Sequence, residues 1–167
     1  KGIIRFDGPD TLNFDAAPDT TKMVFAVMRQ DGAQSSETSP FGGDLVGTTS
    51  AGKWGLKRSG TGILDSGIAS SAFAVLCYQM EGGAYIIYVN GVNMGEGSDS
   101  QTISALNKIG GTLKGEIAEA VAYNRVLPGL AREKIEGYMA HKWGLESQLP
   151  TTHKYRVDLP TFGGAQE

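Results

Sequence analysis

With a single cysteine, Cys77, the chain has no internal disulfide and no multi-thiolate metal site, so its stability has to come from packing. No apolar run approaches the ~20 residues needed to cross a bilayer, and the first residues lack the basic, apolar and small-residue order of a signal peptide. Membrane insertion is therefore not expected. Positive charge is also short: 15 Lys and Arg stand against 18 Asp and Glu, for a net charge of -3, and the basic residues are scattered. No basic field is left to attract phosphates, which argues against a nucleic-acid partner. A chain that opens at Lys1 without an initiator Met is expected to be a processed piece of a longer protein, so the missing targeting signal says little about its destination.

What the chain does have is glycine, 24 in 167 residues, with 40% hydrophobic residues. That balance suits a turn-rich β protein with one core. Short β-type runs recur between glycine and polar turns: 3–6, 11–14, 22–29, 53–58, 72–80, 84–90 and 115–123. Glu81-Gly82-Gly83 supplies the positive dihedrals that a tight reversal needs, which predicts a hairpin between the fifth and sixth runs. The stretch 30–52, rich in Ser, Thr and Gly, reads as a long loop region. Cys77, inside the apolar run 73–78, reads as a small buried side chain.

Strict alternation over 115–123 places Ile117, Glu119, Val121 and Tyr123 on one face and Glu116, Ala118, Ala120 and Ala122 on the other. The small alanine face leaves room for close packing by the next element. From about 129 to 143 the period becomes helical, with Leu130, Ala131, Ile135, Tyr138, Met139 and Trp143 on one stripe. Pro128 suits the start, Gly144 the left-handed stop, and Leu145 a fold-back onto the last turn. The expected architecture is all-β: an antiparallel sandwich over residues 1–160 with one C-terminal α-helix at about 129–143, and a tail at 161–167.

The segment Gly115-Glu116-Ile117-Ala118-Glu119, continuing through Tyr123-Asn124-Arg125-Val126-Leu127, resembles the end of a laminin-G-like, concanavalin A-like jelly-roll domain. Residues Glu136 to Leu145, containing His141-Lys142-Trp143-Gly144-Leu145, with Leu149-Pro150 and His153-Lys154-Tyr155, are similar to the C-terminal signature of a bacterial and phage branch of that superfamily. Arg5-Phe6-Asp7-Gly8 resembles its opening strand, and Tyr88-Val89-Asn90-Gly91 its central hairpin. The resemblance implies a lectin-type jelly-roll β-sandwich belonging to a secreted, cell-surface or virion protein. Its partners would be a glycan or surface polysaccharide, or neighbouring structural subunits, with multiple copies compensating for weak single sites.

Candidate chemistry is sparse. Glycosidases need two carboxylates converging on one bond, and Glu116 and Glu119 are the tempting pair. Regular alternation would send them to opposite faces, and the Glu-x-Asp-x-x-Glu strand of related glucanases is absent, so no catalytic residues are assigned and the chain reads as non-enzymatic. Glu119 is expected to be structural, either an internal ion-pair partner of Arg125 or a cap on backbone N–H groups. His141 and His153 lie within the helix and tail motifs and read as docking residues, as do Tyr138 and Trp143. No Gly-x-Ser-x-Gly occurs, and Ser59-Gly60 lies in a loop with no paired histidine.

No cofactor is required. Calcium is the one alternative, with Asp7, Asp10, Asn13 and Asp15 as hard oxygen ligands, set against ordinary turn chemistry for the same residues. Sugar binding needs an exposed aromatic face among hydrogen-bonding groups. Trp54 beside Lys53, Lys57 and Arg58 is the candidate; the competing reading turns Trp54 and Leu56 inward together as core.

Overall fold

The computed structural model describes residues 2–13, 21–33, 37–41, 46–57, 64–98 and 108–162. Among these the chain forms strands β1 (Ile4–Asp7), β2 (Leu12–Asn13), β3 (Met23–Gln30), β4 (Val46–Thr48), β5 (Lys53–Lys57), β6 (Leu64–Ala69), β7 (Ala74–Glu81), β8 (Ala84–Val89), β9 (Val92–Ser98), β10 (Lys108–Ile109) and β11 (Lys114–Tyr123), followed by helix α1 (Gly129–Trp143). Six strands make one antiparallel sheet in the order β1-β11-β3-β7-β8-β9; β4-β5-β6 make a second and β10-β2 a two-stranded ladder. The architecture is thus all-β antiparallel sheets in a sandwich-like arrangement, with one C-terminal helix.

The large sheet is buried on both sides, and that explains the near-continuous apolar sequence of its central strands. Val24, Ala26 and Met28 of β3, with Leu76 and Tyr78 of β7, join Trp54 and Leu56 of the small sheet in one core. Met23, Phe25 and Val27, with Val75 and Cys77, point the other way and pack with Ile135, Met139 and Ala140 of α1. Cys77 is buried as expected, and burial pushes its thiol well above the ordinary range. Burial likewise raises the Tyr78 hydroxyl, which donates to Gly47 O at 3.3 Å.

Two tight hairpins order the large sheet. Gly82 and Gly83, at φ 57° and 86°, turn β7 into β8, the predicted reversal. Asn90 and Gly91, at φ 50° and 80°, turn β8 into β9. The long loop region expected at 30–52 contains β4, and a buried polar knot fixes it: Gln30 Oε1 accepts from Thr38 Oγ1 at 3.0 Å and also from Thr48 Oγ1.

β11 departs from strict alternation. Its register against β3 runs Ile117 to Met28 and then Glu119 to Val27, so Ala118 is an extra residue in a β-bulge. Ile117 therefore faces the sandwich core while Glu119, Val121 and Tyr123 face the helix side, and Ala120 packs on the sandwich core instead. The helix does not sit on the alanine face; it covers the face that carries Glu119, Val121 and Tyr123. Leu130, expected on the buried stripe, is exposed at the first turn of α1.

The helix ends as its sequence indicates. Gly144 adopts φ 75°, its amide and that of Leu145 both donate to Ala140 O, and Leu145 folds back into the helix-side core. Beyond a 3₁₀ turn at Glu146–Gln148, the chain returns across α1.

Candidate functional site

Trp54 lies at 0% exposure in the sandwich core, beside Leu56, so its ring offers no face to a ligand. The inward alternative holds because β5 alternates and its apolar residues must meet the large sheet. Among the described residues its buried indole Nε1–H meets no hydrogen-bond acceptor. Lys53 is half-buried on the same strand. Lys57 closes β5 opposite Val46, its side chain lies outside the described residues, and so does Arg58.

The bulge at Ala118 corrects the expectation that the two acids of β11 diverge. Glu116 pairs in register with Arg29, one step beyond Val27 on the helix-side face, and Glu119 occupies that same face. Each carboxylate is separately engaged. Arg29 Nε donates to Glu116 Oε2 at 2.8 Å and Arg5 Nη1 lies 3.5 Å from Oε1. The hydrogen bond from Arg29 holds the Glu116 carboxyl below its ordinary range. Glu119 accepts from Trp143 Nε1 at 2.7 Å, Lys142 Nζ at 2.9 Å and Tyr138 OH at 3.5 Å. Its partners are thus three residues of α1, and Arg125 is exposed and not among them. The hydrogen bond to Glu119 in turn raises the Lys142 ammonium above its usual value. Tyr138 and Trp143 dock the helix, as their motif implied.

Sequence reasoning missed the centre of the helix-to-sheet interface. Glu136, 1% exposed, receives two hydrogen bonds from Arg132 Nη1 at 2.6 and 2.7 Å, and His153 Nε2 lies 3.4 Å from its Oε2. Arg132 stacks over Tyr88 at 4.0 Å, so the buried carboxylate, guanidinium and ring form one unit. The i,i+4 spacing of Arg132 and Glu136 was the available signal. His153 Nδ1 accepts from Tyr155 N–H at 3.2 Å and His141 Nε2 contacts Tyr155 O at 3.0 Å, so both histidines serve docking of the final segment.

The aspartate-rich opening shows turn chemistry. Asp7 pairs with Arg5 at 3.2 Å, its own N–H donates to Asp10 Oδ2 at 3.2 Å, and Asn13 ends β2, while Asp15 lies outside the described residues. Among the described residues no group of three or more His, Cys, Asp or Glu is placed to hold a metal ion.

No protein-family model matches the chain, and no curated protein sequence does. Solved structures do. Domain 4 of AbnA, an extracellular GH43 arabinanase from Geobacillus stearothermophilus, solved with arabinotriose, superposes with TM-score 0.57 at 16% identity over 75% of this chain and 72% of its own. The CBM40 of a Ruminococcus gnavus IT-sialidase, bound to α2,3-sialyllactose, gives TM-score 0.56 at 14% identity, covering 78% and 94%. A heptameric SAP-like pentraxin from Limulus polyphemus gives 0.58 at 15%, covering 80% and 81%. At these identities the likeness is one of fold. The chain shares with them an antiparallel β-sandwich fold and carries a helix at its C-terminal end.

Proposed function

We propose that this chain is a non-catalytic carbohydrate-binding module of a larger extracellular or virion-surface assembly. Its ligand would contact β5 and the residue that follows it in sequence, through Lys53, Lys57 and Arg58. The observation that carries this is the rigid mounting of β5: Trp54 and Leu56 anchor it in the core from beneath, and the Gln30–Thr38–Thr48 knot fixes the neighbouring strand. A strand so held presents Lys53, the half-buried residue that precedes its first anchor, at low entropic cost to binding. Two of the similar structures contain a saccharide, which supports the same reading without identifying the sugar.

A glycan array probed with wild type and with the combined variant Lys53→Ala, Lys57→Ala, Arg58→Ala tests it. Binding by wild type that drops at least tenfold in the triple variant is expected, in line with loss of two or more charge-assisted hydrogen bonds of about 1 kcal/mol each. Wild type that binds no glycan sinks the proposal. Trp54→Ala is not a discriminating variant, because it opens the core.

A second reading, a structural virion component working through protein contacts, draws on Val157 and Leu159, which are exposed at 82% and 62%. Self-association or capture by a neighbouring subunit that is lost in Val157→Ser, Leu159→Ser would favour it.

A further inference from the structure

The solvent side of the helix layer carries aromatic rings and ammonium groups in contact with one another. Lys134, Tyr138 and Lys142 follow at four-residue intervals and so form one ridge of α1. The returning tail lays Phe162 against it, edge-on to Tyr138 with ring centroids 5.7 Å apart and with Lys134 Nζ 5.1 Å from its centroid. Lys142 Nζ lies 5.3 Å from the Tyr138 ring and 5.9 Å from that of Trp143. Phe162 is nevertheless 57% exposed, so a large part of its surface is open to a partner.

The electrostatics favour a negatively charged partner. Glu119 accepts from three donors, Tyr138, Lys142 and Trp143. Glu133 lies 3.9 Å from Arg132, and among the described residues Lys134 is ion-paired to no carboxylate. Helix α1 carries three Lys and Arg (Arg132, Lys134, Lys142) and two acids (Glu133, Glu136), for a charge of +1 in a chain of net charge -3. The helix is thus a locally positive element of an acidic molecule. An open aromatic ring with an ammonium against it meets both demands of an acidic sugar: an apolar ring face to stack on, and a cation for its carboxylate or sulfate.

We infer that the ridge of Phe162, Tyr138, Lys134 and Lys142 is a binding surface for an anionic saccharide, separate from β5. The inference rests on the carbohydrate-binding reading and adds the chemical class of ligand. Titration of the full chain with three probes tests it: oligogalacturonate, sulfated dextran and neutral dextran. Wild type is expected to bind at least one anionic probe, with affinity falling as salt rises. Lys134→Glu and Phe162→Ala should each weaken that binding about tenfold, the size of effect a single cation or stacking ring supplies. Lys134→Arg should restore it. Unaltered melting temperatures would show that the ridge variants remain folded.

Anionic binding that survives both ridge variants overturns the ridge assignment while leaving the carbohydrate reading intact. Wild type that binds no saccharide overturns both. Lys134-dependent binding to phosphatidylserine vesicles, or self-association abolished by Lys134→Glu, in the absence of saccharide binding would overturn the sugar and assign the ridge to a lipid surface or a second copy.

Discussion

Glu136 is the residue whose loss should cost most. A carboxylate 1% exposed is tolerable only because Arg132 meets it twice and His153 closes the remaining side. Glu136→Ala leaves the guanidinium without its counter-charge at the helix-to-sheet interface, and urea unfolding should show a loss of about 3–5 kcal/mol. Glu116 makes a smaller, pH-dependent contribution. Its folded pKa is lowered by Arg29, so the stabilisation is fully present above the unfolded value of about 4.3 and disappears as pH falls through the lower folded value. Melting curves of wild type and Glu116→Gln should therefore differ at pH 6 and converge in strong acid. A gap that widens as pH falls would contradict this assignment.

Among elements, α1 illustrates both what the sequence discloses and what it conceals. Its span, its glycine stop and the fold-back of Leu145 follow from local rules, since one left-handed position with two amides on Ala140 O needs only neighbouring residues. A Cβ at Gly144 would meet nothing within 4 Å. Gly144→Ala should consequently cost only the conformational term, about 1 kcal/mol in thermal or urea denaturation. β11 shows the opposite case. Its strand character was legible in its alternating pattern, but the extra residue at Ala118 was not, because a bulge is set by the register of the partner strand. That single residue turned Glu119 toward α1 and made Lys142, Tyr138 and Trp143 its partners in place of Arg125. The candidate site divided in the same way. Trp54 was open to two readings that only the packing of β5 could decide, and the Arg132–Glu136–His153 unit joins a helix to a distant tail. The short strands β6 and β9 were missed because Gly67, Gly95 and Gly97 break up their apolar pattern.

For the whole molecule, the returning tail decides how firmly the helix layer is held. It passes over Gly137, where a Cβ would stand 2.3 Å from Tyr155 Cβ, and reaches the β8–β9 turn, where a Cβ on Gly91 would meet His153 Cδ2 at 2.8 Å. Gly137→Ala should push the tail away at a cost of roughly 1–3 kcal/mol, the usual price of overpacking. Limited trypsin digestion should then cut at Lys154 or Arg156 well before the sandwich is degraded. Equal resistance of wild type and variant would mean that the tail accommodates the methyl group where it lies.

The pairing of β1 with β11 joins almost the beginning of the described chain to its last strand, with Ile4 opposite Ile117. The ribosome must therefore release every residue between β1 and β11 before the sheet can close, and until then β1 lacks the strand it pairs with here. Closure of the sheet is consequently late, which makes the nascent segment that begins with β1 the stage most exposed to aggregation or to a chaperone.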